Sequence, residues 1–176
     1  CGVCGGSGIA DGACDCDGNV DLGCGCGEAG PSGCDNNCGS TLELDECEVC
    51  GGSGPLEGYD CSGTPELFIH NASTLQAFYF ITTVTIDGGA VEADDWVGAF
   101  NGDVCVGAKQ WDTSGCNEGI CELPIMGDDG TEWTAGYMIS GDVPSYKIFD
   151  SSENTYYDAV ASEDFQWVNM GMNMID

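Results

Sequence analysis

The chain has 176 residues, with 31 Asp and Glu against two lysines and no arginine, a net charge of −29. So acidic a surface repels phosphate backbones and anionic lipid surfaces, which argues against nucleic-acid binding and membrane association. No stretch is apolar enough to span a bilayer, and the fourteen cysteines point to an oxidising compartment.

Composition divides the chain near Ser62-Gly63-Thr64-Pro65. Residues 1–63 hold eleven cysteines and most of the glycine, and almost no large apolar residues. Such a segment cannot bury a core, so covalent and metal staples must replace one. The expected disulfide cysteines are Cys1, Cys4, Cys14, Cys16, Cys24, Cys26, Cys34, Cys38, Cys47, Cys50 and Cys61, with Cys105, Cys116 and Cys121 beyond the junction. Both regions hold an odd number, so full oxidation requires one bond between the regions or to another chain. Zinc in the Cys1/Cys4 and Cys47/Cys50 pairs is the competing reading. The many evenly spread cysteines and the lack of basic residues favour disulfides. No signal peptide precedes Cys1, so a secreted chain of this sequence is expected to be a mature form or a piece.

Cys14-Asp15-Cys16-Asp17-Gly18-Asn19-Val20-Asp21 places oxygen side chains at alternate positions. Asp15, Asp17, Asn19 and Asp21 in that spacing are the pattern of a loop that wraps a hard cation, and calcium is the cofactor expected. The glycine position and the absence of a twelfth-position Glu separate it from an EF-hand loop. Cys1-Gly2-Val3-Cys4-Gly5-Gly6-Ser7-Gly8 recurs as Cys47-Glu48-Val49-Cys50-Gly51-Gly52-Ser53-Gly54, so a small unit is used more than once.

These Cys-x-Val-Cys-Gly-Gly-x-Gly units, with the aspartate run, resemble the cysteine- and aspartate-rich repeats of large secreted bacterial proteins. They are similar in style to thrombospondin type 3 repeats, which wind around calcium. The resemblance covers about the first third of the chain. The second copy departs from the pattern, because Ser62-Gly63 follows Cys61 in place of an aspartate run. The remainder is similar to a β-domain found beside such repeats. The resemblance implies a surface or secreted architecture.

Residues 64–176 carry all four tryptophans and can bury a core. Gln76–Asp87 alternates aromatic and β-branched residues and predicts a strand. Strands are also expected at 95–100, 103–108, 122–126, 136–139, 145–150, 156–160 and 165–175, with Asn101-Gly102 as a hairpin turn. No window has a helical period. The fold class expected is mainly β: an irregular, disulfide-rich, calcium-binding repeat segment (1–63) followed by an antiparallel β-sandwich (64–176).

The loops at 92–95, 127–132 and 150–154 are acidic. Asp128 and Asp129 are further candidate calcium ligands, although Asp, Asn, Ser and Gly also favour plain turns. Trp111, Trp133 and Tyr137 lie near loops and are candidates for stacking on sugar rings; the alternative is that they cap the core. Asn71-Ala72-Ser73 is a glycosylation sequon, and His70 beside it reads as structural. Met170, Met172 and Met174 share one strand face. That face packs on a core, holds Cu(I), or pairs with a neighbouring subunit's sheet edge.

A single histidine and no Gly-rich strand-to-helix loop leave no catalytic constellation whose members can be assigned roles. The expectation is a non-catalytic extracellular structural module that self-associates into a cell-surface fibre or array, or forms part of a large adhesin. The alternative is a carbohydrate-binding module on a rigid spacer, with glycans as partners.

Overall fold

A computed structural model describes Gly6 and residues 8–176. The disulfides expected of Cys1 and Cys4 therefore lie outside the described residues. The chain divides into two compact units, residues 1–57 and 58–176. The division falls upstream of the junction read from composition.

In the first unit no described residue is buried. Order comes instead from overlapping crosslinks. Cys14–Cys26, Cys24–Cys38 and Cys34–Cys50 span 12, 14 and 16 residues, and each loop begins before the previous one has closed. Cys16, Cys47 and Cys61 are also disulfide-bonded. Among its described residues strand structure is confined to the two-residue pair β1 (Pro31–Ser32) and β2 (Asn37–Cys38), with single bridges at Asp21–Cys26 and Leu44–Cys50.

The second unit is mainly β. Its strands are β3 (Gln76–Ile81), β4 (Thr85–Ile86), β5 (Gly89–Ala90), β6 (Trp96–Asn101), β7 (Val104–Gln110), β8 (Cys121–Met126), β9 (Ser145–Asp150), β10 (Thr155–Ala159) and β11 (Met172–Ile175). Four of them form a sheet in the order β10-β9-β6-β7 and three form another, β11-β3-β8. One apolar cluster draws on both sheets: Ala77, Tyr79 and Ile81 from β3, Val97 and Ala99 from β6, Leu123 and Ile125 from β8, and Tyr146 and Ile148 from β9. Trp167 closes it by donating its indole N–H to the Ile125 carbonyl at 3.0 Å.

A second cluster lies on the other face of the four-stranded sheet. Phe68, Phe100, Cys105 and Phe149 are buried there, with Tyr59 and Tyr156 against them. Tyr59 meets Phe149 edge-on, with centroids 5.6 Å apart. This contact explains why residues from Gly58 onward belong to the β unit. A bulge directs residues to both clusters: Ala99 pairs with Gly107 and Phe100 with Cys105, which leaves Val106 as the extra residue. Gly98 is required beneath Phe68, since a Cβ there would lie 2.6 Å from the ring.

Several expected strands change. The run 76–87 breaks after Ile81, and its last part forms a separate hairpin with β5. Asp87 (φ 50°) and Gly88 (φ 82°) both take left-handed backbone at its turn, the Asp-Gly form of a tight hairpin. At the expected Asn101-Gly102 turn, Asn101 is the last strand residue and pairs with Val104, so Gly102 (φ 62°) and Asp103 occupy the centre. Residues 136–139 supply only a single bridge, from Met138 to Gly127. The strand expected over 165–175 is reduced to Met172–Ile175. It pairs parallel with β3, whereas the other strand pairs are antiparallel.

Candidate metal and binding sites

Each prominent aspartate of the first unit organises the backbone that follows it. The Asp15 carboxylate accepts from the Asp17 and Asn19 amides, both at 3.0 Å, and from the Asn19 side chain at 2.6 Å. Asp21 accepts from the Gly23 and Gly25 amides at 2.8 and 3.0 Å. Asp45 accepts from Cys47 and Val49, and Asp60, at the start of the second unit, from Ser62 and Thr64. Side-chain carboxylates mimic a backbone turn in this way because they lie two to four residues from the amides they accept. These hydrogen bonds stabilise the ionised form and hold all four carboxyls below the usual aspartate range.

The same contacts give the repeated Cys-x-Val-Cys-Gly-Gly-x-Gly unit a physical meaning. Its second copy wraps Asp45. Gly54 donates to the other carboxylate oxygen at 2.8 Å, and Gly52 leaves that oxygen room, for a Cβ there would stand 2.1 Å from it. Asp45 was not among the residues singled out from sequence, although its position two residues before Cys47 in a Gly-rich unit is the signal that would have found it.

Calcium is met by the right donor chemistry but not by a converging set. Asp15 and Asp21 each turn their own loop, and the Asp17 carboxylate takes no part in either. Among the described residues no three His, Cys, Asp or Glu side chains group as a metal site would require. Asp128 and Asp129 also act locally. Asp128 accepts from the Gly130 amide at 2.8 Å. Asp129 accepts from the hydroxyls of Thr74, Thr131 and Thr134 at 3.1, 2.8 and 2.8 Å and from the Thr74 and Thr131 amides, both at 3.2 Å. Those donors, Thr134 first, hold its carboxyl far below the usual range. Asp129 thus ties the loop before β3 to the loop after β8.

The aromatic candidates separate. Trp111 and Tyr137 are 3 and 4 % exposed and belong to the main core, so neither can stack on a sugar. The Tyr137 hydroxyl accepts from the Asn71 amide at 2.6 Å. Trp133 alone stands out, at 68 % exposure. The sequon is partly engaged: the Asn71 side-chain amide donates to the Trp133 carbonyl at 3.2 Å and the Ser73 hydroxyl to the Gly127 carbonyl at 2.6 Å. The His70 ring lies 2.9 Å from the Phe68 carbonyl.

The cysteines of the second region meet one expectation and correct another. Cys116 pairs with Cys121 inside the second unit, because the Asn117–Ile120 bridge folds the five-residue span back on itself. Cys105 is a free, buried thiol. Its Sγ points to the Gly107 carbonyl within the second cluster, and burial pushes its pKa up to about 11. The bond between the regions or to another chain that full oxidation would require therefore does not form from these three cysteines.

The methionines do not face a core. Met170, Met172 and Met174 are 62, 73 and 59 % exposed, because register with β3 turns Asn173 and Ile175 inward in their place. A cavity of about 260 Å³ opens between the sheets, lined by Ile81, Val84, Ile86, Ile148 and Ile175 with Asp87 and Asp158. None of the residues read from sequence as a ligand or sugar contact lies in it.

No protein-family model matches the chain, and no curated protein or solved structure matches it.

Proposed function

We propose that the chain is a non-catalytic extracellular structural module, a subunit or repeat of a cell-surface fibre or of a large adhesin. The observation that carries this reading is the ladder of overlapping disulfides through a segment in which no described residue is buried. A coreless segment held by short covalent loops is a spacer suited to an oxidising, protease-exposed environment. The β unit, read as a sandwich of its two sheets, is the folded head of that spacer. No helix among the described residues is long and apolar enough to cross a membrane.

Calcium enters this reading as a counter-ion to the −29 charge. Carboxylates at this density with two lysines repel one another unless cations gather.

The test is peptide mapping of the unreduced protein, with limited proteolysis before and after reduction. The three bonds should be recovered intact, and cleavage should begin in residues 8–57 only after reduction. Free thiols throughout that segment in native protein would sink the proposal. Carbohydrate binding is the rival, and its remaining platform is Trp133. Specific retention on a glycan column that Trp133→Ala abolishes would decide for it.

A further inference from the structure

β3 and β11 end side by side, with Ile81 registered against Ile175. The chain then leaves the sheet for the β4–β5 hairpin, a separate two-stranded element. On the four-stranded sheet Val97 pairs with Ile148. These four buried side chains do not close on one another. The gap they leave is the cavity of about 260 Å³, walled in addition by Val84 and Ile86 of the hairpin segment. It is larger than the roughly 150 Å³ cavity that takes up benzene, and just under the roughly 300 Å³ at which drug-sized sites begin. Its occupant is therefore a small molecule with an apolar body.

A polar group inside the cavity is left over. Tyr146 lines it and is 9 % exposed, and its hydroxyl has no hydrogen-bond partner among the described residues. The neighbouring Tyr79 hydroxyl, by contrast, donates to the Phe165 carbonyl at 3.3 Å. Among the described residues the sealed polar side-chain atom without a partner is Asn173 Nδ2. The Tyr146 hydroxyl therefore touches open space, and the cavity is the space that Tyr146 lines. A tyrosine hydroxyl this deep ordinarily finds a partner.

The other end carries negative charge beside an aromatic ring. Tyr157 pairs with Ile148, shares its inward face and lines the cavity together with Asp87. The Tyr157 hydroxyl donates to the Glu153 carboxylate at 2.6 Å. That bond first, then desolvation and the charges of Glu153, Asp150 and Asp87, push it up to about 12. An aromatic ring edged by carboxylates attracts a cation. Neither lysine takes that place. Lys147 lies over Phe100, in the second cluster, and pairs with Asp158, while Lys109 reaches Glu122. Tyr146 and Ile148 are two residues apart on β9, so the two polar ends are separated by about 7 Å along the strand.

We propose that this cavity binds a small amphipathic amine. Its apolar ring or branched chain lies among Ile81, Val97, Ile148 and Ile175, its ammonium meets Tyr157 and Asp87, and a hydroxyl at its far end bonds to Tyr146. An anion of the same shape is repelled, since the acidic residues that line the cavity, Asp87, Asp158 and Asp176, are exposed where it meets solvent and the chain carries −29. The site goes beyond the structural-module reading and does not depend on it.

The test is titration of the disulfide-intact chain, at physiological salt, with tyramine, 2-(4-hydroxyphenyl)ethanol and 4-hydroxyphenylacetate. The three share one phenol body and differ in the charge of the head group. Calorimetry reads affinity, and NMR methyl shifts read location. Tyramine should saturate, bind at least tenfold tighter than either analogue, and shift the methyls of Ile81, Ile86, Ile148 and Ile175. Asp87→Asn, in which Asn accepts the same left-handed backbone, should weaken tyramine at least threefold and leave the alcohol unchanged. Tyr146→Phe should weaken tyramine, spare phenethylamine, which lacks the hydroxyl, and keep the unfolding midpoint near wild type. Val84→Phe, which fills the cavity from the hairpin side, should abolish binding; if that variant does not fold, the other two decide. No saturable binding at millimolar tyramine would overturn the proposal. So would equal affinity for the three compounds, shifts spread over the acidic surface, or binding unaffected by Asp87→Asn and Tyr146→Phe.

Discussion

Asp95 ends the acidic 92–95 loop, yet it is 3 % exposed. Its carboxylate accepts from the Glu92 amide at 2.7 Å and the Ser151 amide at 3.0 Å, and so ties the turn before β6 to the turn after β9. Asp95→Ala would leave two amides without their charged acceptor, at a cost of about 3 kcal/mol in the denaturant stability of the β unit. Asp95→Asn, which keeps one acceptor oxygen, should cost less. Cys105 gives a second expectation at this scale. Buried and with its pKa raised by burial to about 11, it should resist alkylation by iodoacetamide at pH 8 in native protein and react fully in denaturant. Rapid native modification at Cys105, located by mass spectrometry, would contradict the packing described. Glu48 takes left-handed backbone (φ 60°) at a place where the parallel turns of Asp15 and Asp60 use Gly18 and Gly63. Glu48→Gly should therefore stabilise that turn by up to about 1 kcal/mol, seen as slower proteolysis at residues 45–54.

At the level of elements, the first unit depends on crosslinks and aspartate turns. Removing the Cys34–Cys50 bond by a double Cys→Ala change frees a loop spanning 16 residues and should cost the segment about 3 kcal/mol. The strand signal of the second unit should persist in circular dichroism. The turns predict a pH dependence with a definite sign. Asp15, Asp21 and Asp45 have folded-state pKa values below their ordinary value of 3.8. Their contribution is complete above 3.8. It fades as pH falls from 3.8 toward the lowered folded values and is gone below them. Amide exchange at Asp17, Gly23 and Val49 should accelerate in that acid window, and unchanged protection down to pH 2 would contradict the hydrogen bonding.

For the whole molecule the dominant quantity is −29. If calcium acts as a gathered counter-ion, millimolar CaCl₂ should raise the thermal midpoint more than NaCl of equal ionic strength. Elemental analysis after extensive dialysis should then leave little calcium on the chain. One tightly retained calcium per chain, lost on Asp15→Ala, would instead show a cage at the aspartate run. Equal midpoints in the two salts would remove calcium from the account altogether.

The sequence alone determined the β class of the second region, the position of most of its strands and the lack of a core in the first. Those features follow from period-2 alternation and from the near absence of large apolar residues, both of which are local. The Asp87-Gly88 hairpin was read instead as the end of one long strand, because the β-branched run before it continues without a polar break. Tertiary structure decided the rest. Which face of β3 is inward cannot be read from Phe78-Tyr79-Phe80-Ile81, because both faces are apolar. Only packing against the four-stranded sheet, where Tyr79 meets Tyr146, buries Tyr79 and leaves Met172 and Met174 on the other face with Phe78 and Phe80. Trp111, Trp133 and Tyr137 look alike as loop aromatics, and their burial depends on which loops the two sheets bring over them. Disulfide partners depend on distances that close only when the chain folds, which is why Cys105, a strand residue turned inward by a bulge, has no partner.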